Sequence, residues 1–193
     1  MSEFPQIYQS SFDEHGQVLA DTRSDCRADI ETMHESWLSA IRSGGKIFFF
    51  GNGGSAGDSQ HLATELTVRF KDNRPPIAAI ALTTDTSALT AIGNDLGFEQ
   101  VFARQINALG APGDIAVGIS TSGRSPNVLE GLRAAREIGM TAAGFTGCGG
   151  GDMIGNADPL VIVPSSTTAR IQEMHILIGQ CLCEALEKDL GLV

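Results

Sequence analysis

The sequence predicts an α/β three-layer sandwich built on a five-stranded parallel sheet, preceded by helices. Three observations carry that expectation. Five short apolar runs, "KIFFFG", "PIAAIAL", "GDIAVGIS", "MTAAGFTG" and "PLVIVP", recur along the chain. Each is followed by a turn and a helix-like stretch, and parallel strands require such crossovers. The runs are apolar at nearly every position instead of alternating, as strands covered on both faces are.

Taken in order, the segment after the first dozen residues sets Ile30, Met33, Trp37 and Ile41 at helical spacing and stops at Ser43-Gly44-Gly45. One or two amphipathic helices are expected there, and residues 1–44 are assigned to assembly, because such helices outside an α/β core pack against a neighbour. Residues 45–193 form the α/β domain. A chain of 193 residues buries about 70% of the surface that its unfolded form exposes, so it needs no disulfide staple. Cys26, Cys148, Cys181 and Cys183 have neither zinc-ribbon nor C-x-x-C spacing and are expected to be reduced thiols. No signal-like start and no membrane-length apolar segment stand in the sequence, so a cytoplasmic protein without membrane partners is expected. Thirteen Lys and Arg against 23 Asp and Glu give a net charge of −10, which opposes nucleic-acid binding.

Ligands of open parallel sheets bind beyond the carboxyl ends of the strands. The turn after the first strand is "GNGGSAGD", whose glycines admit close approach, and Ser55 with Asp58 fits a capping box. A helix start here could also receive a phosphate. A P-loop is excluded, because no Lys follows the glycines. The dinucleotide fingerprint fits poorly, because the candidate acidic residue, Asp85, lies 29 residues after Ala56 where about 20 is usual. The turn after the third strand, "STSGRSPN", has Ser125-Pro126 as N-cap and first helical residue. Its further hydroxyls, Ser120, Thr121 and Ser122, exceed what capping needs. Two hydroxyl-rich turns in neighbouring parts of one sheet suggest a phosphorylated polyol. Asn94 and Asp95 end a short helical piece, as simple caps or as partners of sugar hydroxyls. His61 and Glu65, spaced i and i+4, share one helical face and suit a metal ion or a working pair. Gln172 and Gln180 are about 80° apart around an ideal helix, with His175 about 60° the other way, as a core or inter-subunit histidine.

The stretches "GNGGSAGDSQHLATEL", "ALTTDTSALTAIGNDLGFEQVFARQ", "GISTSGRSPNV" and "ARIQEMHILIGQCLCEAL" resemble the phosphoheptose isomerase family of the sugar isomerase (SIS) domain superfamily, over residues 44–186. The resemblance implies a flavodoxin-like SIS fold, a homotetramer with sites between subunits, and isomerisation of a sugar phosphate, sedoheptulose 7-phosphate, towards bacterial surface heptoses. It implies phosphate contacts from Ser55, Ser120, Ser122 and Ser125, substrate contacts from Asn52, Gly53, Gly54, Asn94 and Asp95, and an acidic Asp58 near the reacting end. Zinc would be held by His61, Glu65 and Gln172, with Gln180 where the family has a histidine. Glu65 would be the base, and the replaced histidine the acid. With Gln180 three alternatives stand: His175 or a water supplies the proton, the residue is an engineered change, or turnover is lost. A non-catalytic relative that binds a replication initiator is the other reading, which the retained Glu65 disfavours.

Overall fold

The structure is a computed structural model and describes residues 2–193. Two helices, α1 (Phe4–Asp25) and α2 (Arg27–Arg42), precede β1 (Ile47–Gly51). The chain continues through α3 (Gly54–Thr67), β2 (Ala79–Ala81), α4 (Thr86–Asp95), a 3-10 turn (Phe98–Gln100) and α5 (Ala103–Leu109). It ends with β3 (Ile115–Ser120), α6 (Pro126–Glu137), β4 (Thr141–Thr146), a 3-10 segment (Cys148–Met153), β5 (Leu160–Ile162) and α7 (Thr168–Asp189). The strands are parallel in the order β2-β1-β3-β4-β5. The connection leaves β1 towards β2 on one side and later towards β3 on the other, so the switch point lies between β1 and β3.

The alternation of side chains along β1 divides the interior. Ile47 and Phe49 pack with α2, α3 and α7, including Trp37, Leu62, Met174 and Leu186. Phe48 and Phe50 face the other way, against Phe102, Ile106, Val128 and Leu132 of α5, α6 and their approach. Burying one such side chain contributes roughly 1.5–3 kcal/mol, so the four buried side chains Ile47 to Phe50 add to the extended preference of Ile and Phe themselves. Trp37 of α2 stands edge-on to Phe49 at 5.3 Å, and the helices before residue 44 therefore share the core of the sheet. At the amino ends of the strands, Asp114 forms a clamp. Its carboxylate accepts from Lys46 N and Nζ and from Ala111 N at 2.7–2.9 Å, and its carbonyl accepts from Thr141 N.

Three expectations are corrected. Helix α1 begins at Phe4, not after the first dozen residues, with Pro5 in its first turn, where a missing N–H costs nothing. Strand β2 keeps only three residues, because it is an edge strand paired with β1 alone. The β4–β5 connection holds no α-helix. Gly149, Gly150 and Gly151 all take positive φ there, which breaks helical geometry.

Candidate functional site

Both hydroxyl-bearing turns sit at the carboxyl ends of β1 and β3, beside the switch point. Gly53, with φ 56 and ψ −120, caps α3, a conformation that a side chain would strain. The expected capping box is absent: Ser55 lies inside the first turn of α3 and its side chain caps nothing. A capping residue must stand outside the helix, and the glycine takes that place. Ser55 is buried, and its carbonyl accepts from Ser59 Oγ at 2.7 Å. Asp58 keeps a buried Oδ2 without a hydrogen-bond partner. Burial pushes its carboxyl above the ordinary range, against the opposing charge of His61. Asp85 caps α4 through Ala88 N at 3.0 Å, which explains it without a dinucleotide.

After β3, Ser120 Oγ lies 3.0 Å from Ser125 Oγ, and Ser125 with Pro126 opens α6 as expected. Ser122 Oγ accepts from Arg124 N, and the Thr121 carbonyl accepts from Gly147 N. Gly123 is left-handed (φ +65), and a Cβ there would strike the Gly150 carbonyl. The turn is thus seated on the glycine segment after β4. Asn94 and Asp95 are exposed, bonded to each other at 2.7 Å, on a helix with no buried residue.

His61 Nε2 lies 2.9 Å from Glu65 Oε1, with side chains 47% and 18% exposed. Helix α3 meets α7 closely. A Cβ on Gly54 would collide with the Gln172 amide, and one on Gly179 would come within 2.5 Å of Leu62. Gln180, beside Gly179, therefore lies level with the His61–Glu65 pair. Gln172 lies at the glycine turn, about 12 Å away along α7. Angular proximity on the helix concealed that rise, and within one chain the two glutamines do not meet. Glu65 likewise stands about 15 Å along α3 from Ser55.

His175 is a core residue. Its ring is fully buried, stacked on Phe145, with Nε2 3.1 Å from the Thr146 carbonyl. Fully enclosed in this way, with its pKa lowered by burial to about 4, it has no access to the crevice as a proton donor. Among the described residues no three His, Cys, Asp or Glu side chains gather as a metal-binding group. One imidazole and one carboxylate in contact supply two of the three or four protein ligands that zinc takes, and amide oxygens from glutamine make only weak further ones.

Two supporting groups escaped the sequence reading. The amides of Asn52 and Asn127 bond each other reciprocally at 2.8 and 2.9 Å. Arg74 and Glu187, both buried, pair at 2.7 Å. Arg74 also donates to the carbonyls of Glu65 and Leu66, and Glu187 accepts from Phe70 N. A polar residue on an otherwise apolar face of α6 was the available signal for Asn127.

A 2-1-3-4-5 parallel sheet with hydroxyl-bearing turns at its switch point defines an α/β protein built to hold a small anionic ligand. A SIS domain model matches residues 11–147. A relative from Paramagnetospirillum magneticum, named phosphoheptose isomerase, is 55% identical over 185 residues, 96% of either chain. Phosphoheptose isomerase 1 of Campylobacter jejuni is 50% identical over 95% of this chain and 98% of its own. The solved phosphoheptose isomerase of Francisella tularensis superposes with a TM-score of 0.92 at 36% identity, covering 97% of this chain and all of that one. The chain belongs to the SIS domain family and, within it, to the phosphoheptose isomerases. None of these relatives favours the initiator-binding alternative.

Proposed function

We propose that the protein is an aldose–ketose isomerase that converts sedoheptulose 7-phosphate to D-glycero-D-manno-heptose 7-phosphate, an early step towards surface heptoses. The observation that carries this reading is Glu65 in contact with His61, on a helix whose start forms one of the two hydroxyl-rich turns. The serines at 55, 120, 122 and 125, beside the positive N-terminal ends of α3 and α6, hold the phosphate. Asn52, Gly53, Gly54, Asn94 and Asp95 meet sugar hydroxyls. Glu65 removes the proton from the carbon next to the carbonyl and returns it to the neighbouring carbon, which is the transfer that an enediol route needs. Asp58, whose buried Oδ2 has no hydrogen-bond partner within the chain, is the acidic residue near the reacting end of the sugar.

Zinc is the cofactor of this reading, held by His61 and Glu65 with weak help from the Gln180 amide, and from Gln172 only where a second copy brings it to the pair; when bound it would stabilise negative charge on the sugar oxygens. The separation of Glu65 from Ser55 supports a homotetramer with sites shared between copies. So does the exposed apolar stripe of Phe4, Ile7, Tyr8 and Phe12 on α1. Free thiols at Cys26, Cys148, Cys181 and Cys183 support a cytoplasmic location. The test is incubation of the purified chain with sedoheptulose 7-phosphate, with and without zinc, following the aldose. Formation of the aldose supports the reading, and its absence under both conditions removes it.

A further inference from the structure

The turn after β1 and the start of α6 are joined by two hydrogen bonds that engage both ends of two amides. Asn52 Nδ2 donates to Asn127 Oδ1 at 2.9 Å, and Asn127 Nδ2 donates to Asn52 Oδ1 at 2.8 Å. Asn127 is 2% exposed and sits second in α6, two residues beyond Ser125, whose hydroxyl meets Ser120. Its neighbours on the buried face are Val128, Leu132 and Ala135. An apolar side chain would satisfy packing there, and the helix already starts on Ser125 and Pro126. A buried amide needs another reason.

The pairing itself supplies one. Two opposed bonds fix the rotation and the flip of the Asn52 amide, leaving one N–H and one lone pair to aim elsewhere. They also fix how far the glycine turn stands from the hydroxyl turn. We propose that Asn127 is a positioning residue: it orients Asn52 and sets the spacing between residues 52–54 and residues 120–125, and hence the length of phosphorylated sugar that the crevice accepts. The length discrimination rests on the sugar-phosphate reading above; the amide orientation does not.

The test uses the full chain with Asn127→Leu, which removes both bonds, and Asn127→Asp, of nearly equal shape, which keeps one. The nitrogen-15 signals of the Asn52 side-chain amide should form a distinct, protected pair in the parent protein. In Asn127→Leu their exchange should be about tenfold faster, the loss of one or more part-buried hydrogen bonds. Inorganic phosphate should bind both variants within about twofold of the parent, because its contacts are the serines and helix starts. Preference for sedoheptulose 7-phosphate over fructose 6-phosphate should fall about tenfold in Asn127→Leu and less in Asn127→Asp. A merely structural role would weaken all three ligands alike and leave the preference intact, and that result overturns the proposal. So does an Asn52 amide signal indifferent to both variants. If the parent takes phosphate but neither sugar, the functional reading fails and the length discrimination with it. The amide signals then decide the positioning role alone.

Discussion

Glu65 and Gln180 divide the chemistry at the scale of the single residue. Glu65→Gln keeps shape and removes the proposed base, so turnover should fall by roughly 10²–10⁴ with substrate affinity little changed, measured by steady-state kinetics. Gln180→His adds a donor and a stronger ligand level with the His61–Glu65 pair. It should raise both turnover and zinc content, and a variant that gains neither would exclude a role for this position. His175 answers to pH instead. Its pKa falls from 6.5 unfolded to about 4 folded, so the unfolded chain binds the extra proton between these values and stability drops as pH falls through that window. Denaturant titrations at pH 7 and pH 5 should differ by about 2 kcal/mol from this group. His175→Phe, able to stack on Phe145, should flatten that difference. The serine turns and the i, i+4 pair were legible in the sequence, because turn chemistry and helical spacing are local. Asn127 and Arg74 were not, because their partners lie 75 and 113 residues away.

At the scale of elements, the α3–α7 contact decides how the site residues stand. Gly179 lets Leu62 approach so closely that in Gly179→Ala either the buried Leu62 side chain is driven from its place or the helices part. Overpacking of this kind should cost about 1–3 kcal/mol by denaturant unfolding and lower turnover by moving Gln180 from the pair. Arg74→Met should cost more, about 3–5 kcal/mol, because it leaves the Glu187 charge buried and frees the carbonyls of Glu65 and Leu66. The five strands and their parallel arrangement followed from apolar runs and crossover lengths. The start of α1 was legible but unread, since Phe4, Ile7, Tyr8 and Phe12 recur at helical spacing, whereas the positive φ of three glycines that breaks the helix after β4 carries no periodic signal.

For the whole molecule, the outer helix α1 is strapped to the start of α7. His15 meets Glu173 at 2.8 Å, and Arg170 reaches the Ser11 carbonyl at 2.8 Å. Its other face shows the rings of Tyr8 and Phe12 tilted against each other at 4.6 Å, both exposed. Replacing Tyr8 and Phe12 by Ser should lower the oligomeric state in sedimentation while leaving the fold intact by circular dichroism. If sites are shared between copies, turnover should then fall with dilution. The clamp at Asp114 closes the opposite end of the sheet from the crevice, tying the entries to three adjacent strands. A surface tether or reporter fused near Gly113 would therefore hang from the rear wall of the protein, where it neither shades the sugar's approach nor pulls on the turns that receive it.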